Sequence, residues 1–230
     1  ALSWDWSDSY FMQQNTSRSG LWKHGLLLTM LFGFTVMLVG GFFMYKTRAP
    51  IPARVLGPDG ALLFTAQDVQ QGQELFRKRD LMNYGSILGH GAYLGPDYTA
   101  EALHWMVEGV QQHHTAGGPA YSDRDKPGRA AIDAMVADEL YTNRYDASTG
   151  VLRFTPGQVN GWKNIVDRYG SQFKAGDDAR ALPKGALLPA GEGGLNAEQH
   201  AEASRQFAAF VTWTAWLSKA KRPEANHSYT

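Results

Sequence analysis

One uninterrupted apolar run constrains this chain more than any other feature. Residues 25–45 read GLLLTMLFGFTVMLVGGFFMY, without a single charge. A hydrocarbon core of about 30 Å takes about 20 apolar residues in a helix to cross, so the run predicts one transmembrane helix. Trp22 before it and Tyr45 at its end suit the two interfaces, and Lys23, His24, Lys46 and Arg48 close its ends. A cleaved signal peptide would have a shorter apolar part and a small-residue cleavage site, which Tyr45-Lys46-Thr47-Arg48 does not provide. Charge leaves the orientation open, because Arg18 and Lys23 on one side face Lys46, Arg48 and Arg54 on the other.

Beyond the run the chain reads as the surface of an ordinary soluble domain. The sequence holds 22 Lys plus Arg and 22 Asp plus Glu. Four of those basic residues (Arg18, Lys23, Lys46, Arg48) and two of the acidic ones (Asp5, Asp8) precede Ala49, so the remainder is mildly acidic. Scattered basic residues without a net field argue against nucleic acid as a partner. The chain has no cysteine. Disulfides, thiol catalysis, thiolate metal sites and covalently attached c-type haem are therefore excluded for this chain.

Turn and cap chemistry divides residues 46–230 into short elements. Gly57-Pro58-Asp59-Gly60, between two apolar runs, predicts a small hairpin within a connector at 46–64. Thr65 with Asp68 three residues on predicts a capped helix to about Arg79, with Val69, Leu75 and Phe76 supplying a partial apolar face. A second helix is expected from a Thr99 cap to His113-His114, with Leu103, Met106, Val107 and Val110 on one face, and a third from about Arg129 to Thr142. Ser148-Thr149-Gly150 marks a turn, and Thr155-Pro156-Gly157-Gln158 combines an N-cap, a first-turn proline and a capping-box glutamine. The helix it starts should bury Val159, Trp162, Val166 and Tyr169. Residues 174–194 have no periodicity and read as a long loop. A last helix runs from an Asn196 cap to about Leu217, too short in apolar content to be a second crossing. The fold class expected is mainly α: an N-terminal transmembrane helix, then a helical domain at 65–218 with small hairpins and long loops, then a short segment at 219–230.

Local chemistry supplies no catalytic constellation. His113 and His114 are adjacent, and neighbouring side chains on a helix diverge by about 100°, which suits a shared metal badly. His90 and His104 have no partner at ligand spacing, and Asp138-Glu139 and Asp177-Asp178 read as solvated faces.

The informative stretch is Gly72–Thr99, GQELFRKRDLMNYGSILGHGAYLGPDYT, a helix entering a glycine-punctuated loop rich in aromatics. It resembles the haem-binding segment of the small cytochrome c subunit of nitric oxide reductases, in which C-x-x-C-H precedes a T-x-L-G-x-G-A-Y type run. Ser86-Ile87-Leu88-Gly89-His90-Gly91-Ala92-Tyr93 matches that run. The resemblance puts the two haem-linking cysteines at Leu81 and Tyr84 and the proximal histidine at Gly85, so all three haem-holding groups are replaced. Leu81, Met82 and Tyr84 are then expected to fill the vacated volume, since a haem-sized void is too costly to leave.

That substitution pattern resembles the quinol-dependent nitric oxide reductases, where a haem-less cytochrome c-like domain is fused to the catalytic subunit. Leu188-Pro189, Gly194-Leu195-Asn196 and Phe210-Val211-Thr212-Trp213-Thr214 resemble the end of the same domain, with Leu188 in place of an axial methionine. Arg222-Pro223 and Ser228-Tyr229-Thr230 resemble the junction to the family's polytopic part. The resemblance implies a bacterial inner-membrane location with residues 1–24 cytoplasmic and the domain periplasmic. It implies a full enzyme holding haem b, high-spin haem, non-haem iron and calcium and drawing electrons from quinol. Catalytic residues would lie outside this segment, which would cap the catalytic helices. Gly91, through its carbonyl, and Tyr93 would be calcium ligands, and a homodimer is a further partner the resemblance admits. Two alternatives use the same residues: a membrane-anchored accessory or binding module with a degenerate cytochrome c fold, and an electron carrier holding haem noncovalently.

Overall fold

The computed structural model describes residues 15–92, 94–187 and 196–230, with side chains described from Gly20 onward. The chain divides into two units, residues 1–48 and 49–230. In the first, helix α1 (Asn15–Lys46) contains the apolar span Gly20–Lys46, long and apolar enough to cross a membrane, with its Leu, Phe, Val and Met side chains exposed. Thr29 and Thr35 return their hydroxyls to the carbonyls of Gly25 and Leu31, at 3.0 and 2.8 Å, which hides their polarity within the helix. Arg48 lies over the Tyr45 ring and Lys46 over Phe42, so both cations cover aromatic faces at the end of the run.

The second unit is mostly helical, as the capping pattern predicts, and among the described residues it holds five helices. They are α2 (Ala66–Lys78), α3 (Tyr98–Thr115), α4 (Lys126–Tyr141), α5 (Pro156–Ala175) and α6 (Ala197–Lys219). Thr65 and Asp68 form a reciprocal capping box on α2, and Thr155 and Gln158 form another on α5. Two expected starts move. Helix α3 is capped by Asp97, not Thr99, and α4 begins at Lys126 under an Asp125 cap, a turn earlier than the apolar periodicity indicates. In both cases an aspartate accepts the third N–H of the helix, which outweighs the position of the first apolar residue.

Strands β1 (Arg54–Leu56) and β2 (Leu62–Thr65) form the expected hairpin, and β5 (Tyr145–Asp146) and β6 (Val151–Arg153) form another around the 148–150 turn. The two merge into one sheet in the order β2-β1-β6-β5, because β1 pairs parallel with β6. Val55, Phe64 and Leu152 point from this sheet into the core. Strands β3 (Ser86–Ile87) and β4 (His90–Gly91) make a separate two-stranded hairpin. Within the expected 174–194 loop, a 3₁₀ turn at Asp178–Arg180 and a bridge between Asp177 and Leu182 bury Leu182 and Leu187.

Helices cross where side chains are absent. A Cβ on Gly72 of α2 would lie 2.0 Å from the Gln206 carbonyl oxygen of α6, and one on Gly109 of α3 would lie 2.2 Å from the Gly161 nitrogen of α5. Backbones therefore touch at both crossings. Between them Phe76, Tyr98, Trp105, Tyr169, Phe173 and Phe207 interlock, with Tyr98 edge-on to Phe207 at 5.3 Å and to Tyr169 at 6.2 Å. On α5 the buried apolar face is Trp162, Ile165, Tyr169 and Phe173, so Val159 and Val166 flank it and are only half-buried.

Candidate functional site: the glycine-packed loop between α2 and α3

Helix α2 ends at Lys78 with Arg79 as its C-cap, and Asp80 takes a left-handed conformation, with φ of 50°, that turns the chain into a 3₁₀ turn at Leu81–Asn83. Leu81 is fully buried, Tyr84 is half-buried, and Met82 is 50% exposed. Of the three side chains expected to fill the interior, Met82 does not. The short 3₁₀ turn sends successive side chains to different sides, so Leu81 goes inward and Met82 outward.

Glycine makes the rest of the loop. A Cβ on Gly85 would lie 2.5 Å from the Pro96 carbonyl oxygen and 2.6 Å from Tyr98 Cε2; on Gly95 it would lie 1.7 Å from the Tyr84 carbonyl oxygen. The two arms, 84–86 and 95–98, are thus in backbone contact, tied by the Ser86 N–H donating to the Pro96 carbonyl at 3.1 Å. Leu88 and Gly89 at the hairpin tip both have positive φ, 52° and 78°, the requirement of a type I′ turn, and a leucine there is strained.

Asp97 organises this geometry. One carboxylate oxygen accepts the Ala100 N–H and caps α3; the other accepts the Ser86 hydroxyl at 2.8 Å and the Gly89 N–H at 2.6 Å. Thr99 adds a buried link. Thr214 gives its proton to the Val211 carbonyl, so Thr99 donates to the Thr214 hydroxyl at 3.0 Å while accepting the Leu88 N–H at 3.2 Å. The hairpin is in this way bonded to α6 through a residue of the 210–214 segment. In the sequence Thr99 reads as the cap, yet an aspartate three positions before Ala100 is also an N-cap signature.

Behind the loop lies buried polarity. Glu101 pairs with Arg180, which also reaches Asp177 at 3.2 Å. Burial, then the Glu101 charge, pushes the Tyr98 and Tyr169 phenols above the ordinary tyrosine range. The Tyr169 hydroxyl donates to the Tyr98 carbonyl at 3.2 Å.

Gly91 sits in β4 opposite Ser86, and Tyr93, Leu188, Pro189, Gly194 and Leu195 lie outside the described residues. His90 is exposed and bonds the Leu88 carbonyl at 3.0 Å. His114 pairs with Glu139 at 2.6 Å, and Glu139 also accepts the Thr155 hydroxyl, so Glu139 is a junction between α3, α4 and the α5 cap, not part of a solvated face. Among the described residues no group of three His, Asp or Glu side chains is placed to hold a metal.

Compared with profiles of known families, residues 52–230 match the cytochrome c-like domain of the nitric oxide reductase protein NorB. The chain belongs to that family. No curated protein matches it closely enough to add a relative. With the anchor helix, this is a membrane-anchored region of the NorB type, part of a larger membrane enzyme of a haem-binding family.

A covalent haem does not fit the loop of this NorB-type domain. Attachment takes two thiols and an imidazole. The chain has no thiol, and at Gly85 even a methyl group would collide with Pro96 and Tyr98.

Proposed function

We propose that this chain is the haem-less, structural front end of a quinol-dependent nitric oxide reductase, whose full reaction is 2 NO + quinol → N2O + H2O + quinone. The observation that carries the reading is the coincidence of the NorB family match with Leu81, Tyr84 and Gly85 at the haem-attachment positions. On this reading the domain passes no electrons inward from a soluble cytochrome, and the donor reaches the membrane part directly. Quinol, dissolved in the membrane, does so.

On this reading residues 1–24 are cytoplasmic, 25–45 cross the inner membrane, 46–64 connect, 65–218 form the periplasmic domain, and 219–230 lead toward the polytopic catalytic helices. The domain caps those helices, and the haems and non-haem iron are held outside this segment. Gly91, by its carbonyl, and Tyr93, by its phenol, are oxygen donors suited to calcium, which takes 6 to 8 oxygens in general. Calcium would supply positive charge to hold carboxylates near the domain. Glycine at 91 serves that role because any side chain would press on the Gly85 carbonyl oxygen, 2.5 Å from a Cβ.

The test is electron-donor selectivity of the full enzyme in membranes, read as nitric oxide consumption. Reduced quinol should support turnover and reduced soluble cytochrome c should not. Turnover with cytochrome c alone would overturn the quinol assignment.

A further inference from the structure

We propose that a single buried water molecule is a built-in component of this domain, held between Trp216 and Thr212 where α3, α4, α5 and α6 meet. Both side chains lie on α6 one turn apart and are more than nine-tenths buried, at 8% and 1% exposure. The Trp216 indole nitrogen and the Thr212 hydroxyl each have no hydrogen-bond partner among the described residues. Both residues line the same narrow cavity, with Leu103, Met106, Phe154 and Gln158 around them. That cavity has about 10 Å³ for the centre of a water-sized molecule, which is room for one.

The donor inventory selects water over any apolar occupant. An indole can only donate, and a hydroxyl can donate and accept. A water oxygen would accept the Trp216 N–H and return one hydrogen to Thr212, leaving its second lone pair for the nearby Gln158 amide. Gln158 already spends its oxygen on the Thr155 N–H and one amide hydrogen on the Glu139 carbonyl, which leaves one hydrogen to give. An apolar filler would leave the indole and hydroxyl unpaired, which buried polar groups rarely tolerate.

The consequence reaches the surface. The Trp216 ring packs on Tyr229 at 5.3 Å and on Tyr145 at 6.1 Å, and the Tyr229 hydroxyl accepts a bond from Asn143. A water fixed to the indole nitrogen sets the ring plane on which residues 219–230 fold back.

The experiment uses the whole chain in detergent, with a high-resolution crystal structure and the variants Thr212→Val and Thr212→Ser. An ordered water within hydrogen-bonding distance of both the indole nitrogen and the hydroxyl is expected, and Thr212→Val should melt lower than both wild type and Thr212→Ser. If the hydroxyl is instead unpaired, its replacement by a methyl of the same shape raises the melting temperature. That rise, or a refined cavity without water, would overturn the proposal.

Discussion

Replacing Gly72 by alanine is the sharpest probe of how the domain is assembled. Its Cβ would be 2.0 Å from the Gln206 carbonyl oxygen, 2.7 Å from the carbonyl carbon and 2.8 Å from Phe210 Cβ, where ordinary contact begins at 3.4 Å. Two of these are backbone atoms of α6, so no rotamer change relieves them. The helices must part by more than about 1 Å, loosening the Phe76–Phe210 contact, and overpacking of this kind costs about 3 kcal/mol at the upper end of its usual range. Alanine offsets about 1 kcal/mol through its better helix propensity. The net loss is about 2 kcal/mol, or about 4–8 °C in melting temperature for a domain of this size. Gly170 on α5 is the control, since its Cβ would meet only Ser204 Cβ at 3.9 Å. Gly170→Ala should therefore gain up to about 1 kcal/mol. Near-ultraviolet circular dichroism of the full chain in detergent, followed through thermal unfolding, reads both. A Gly72→Ala protein melting at or above wild type would refute the backbone contact between α2 and α6.

Two further outcomes follow from named bonds. Burial raises the Asp68 carboxyl, but its bonds from Arg205 and Thr65 and the Arg205 charge outweigh that and hold it below the ordinary carboxylate range. A depressed folded pKa gives stability present above the unfolded value and lost as pH falls through the folded one, so the advantage of wild type over Asp68→Asn should be full at neutral pH and shrink below about pH 4. Urea titrations at stepped pH measure it, and a pH-independent difference would contradict it. Thr99→Val leaves the Leu88 N–H without its acceptor and should cost about 1–3 kcal/mol. Amide exchange at Leu88 and Gly89 should accelerate more than at the 148–150 turn, and equal effects at both sites would count against the link to α6.

Capping chemistry makes the helices legible without knowledge of their packing. Thr65 with Asp68 and Thr155 with Gln158 are local signals, each decided within four residues, and both form as read. The features that the sequence hides are decided at longer range. Nothing near Arg54 announces that it will pair with Val151, because parallel pairing depends on where two distant hairpins are carried by the helices between them. Glu139 reads as solvated because its partners, His114 and Thr155, come from other elements. At the candidate site the glycines at 85, 89, 91 and 95 are visible in the sequence, but their reason is not. Gly89 and Gly91 have positive φ, while Gly85 and Gly95 are required by backbone contact, which only the folded loop displays.

The haem-less state proposed for this cytochrome c-like domain is tested most directly by the haem content of the protein. The purified chain, produced in cells with active c-type haem attachment, is denatured in alkaline pyridine and its absorbance recorded beside that of the native protein. Neither a haemochrome band nor a native Soret band is expected. One haem per chain would contradict the claim and return the domain to electron carriage.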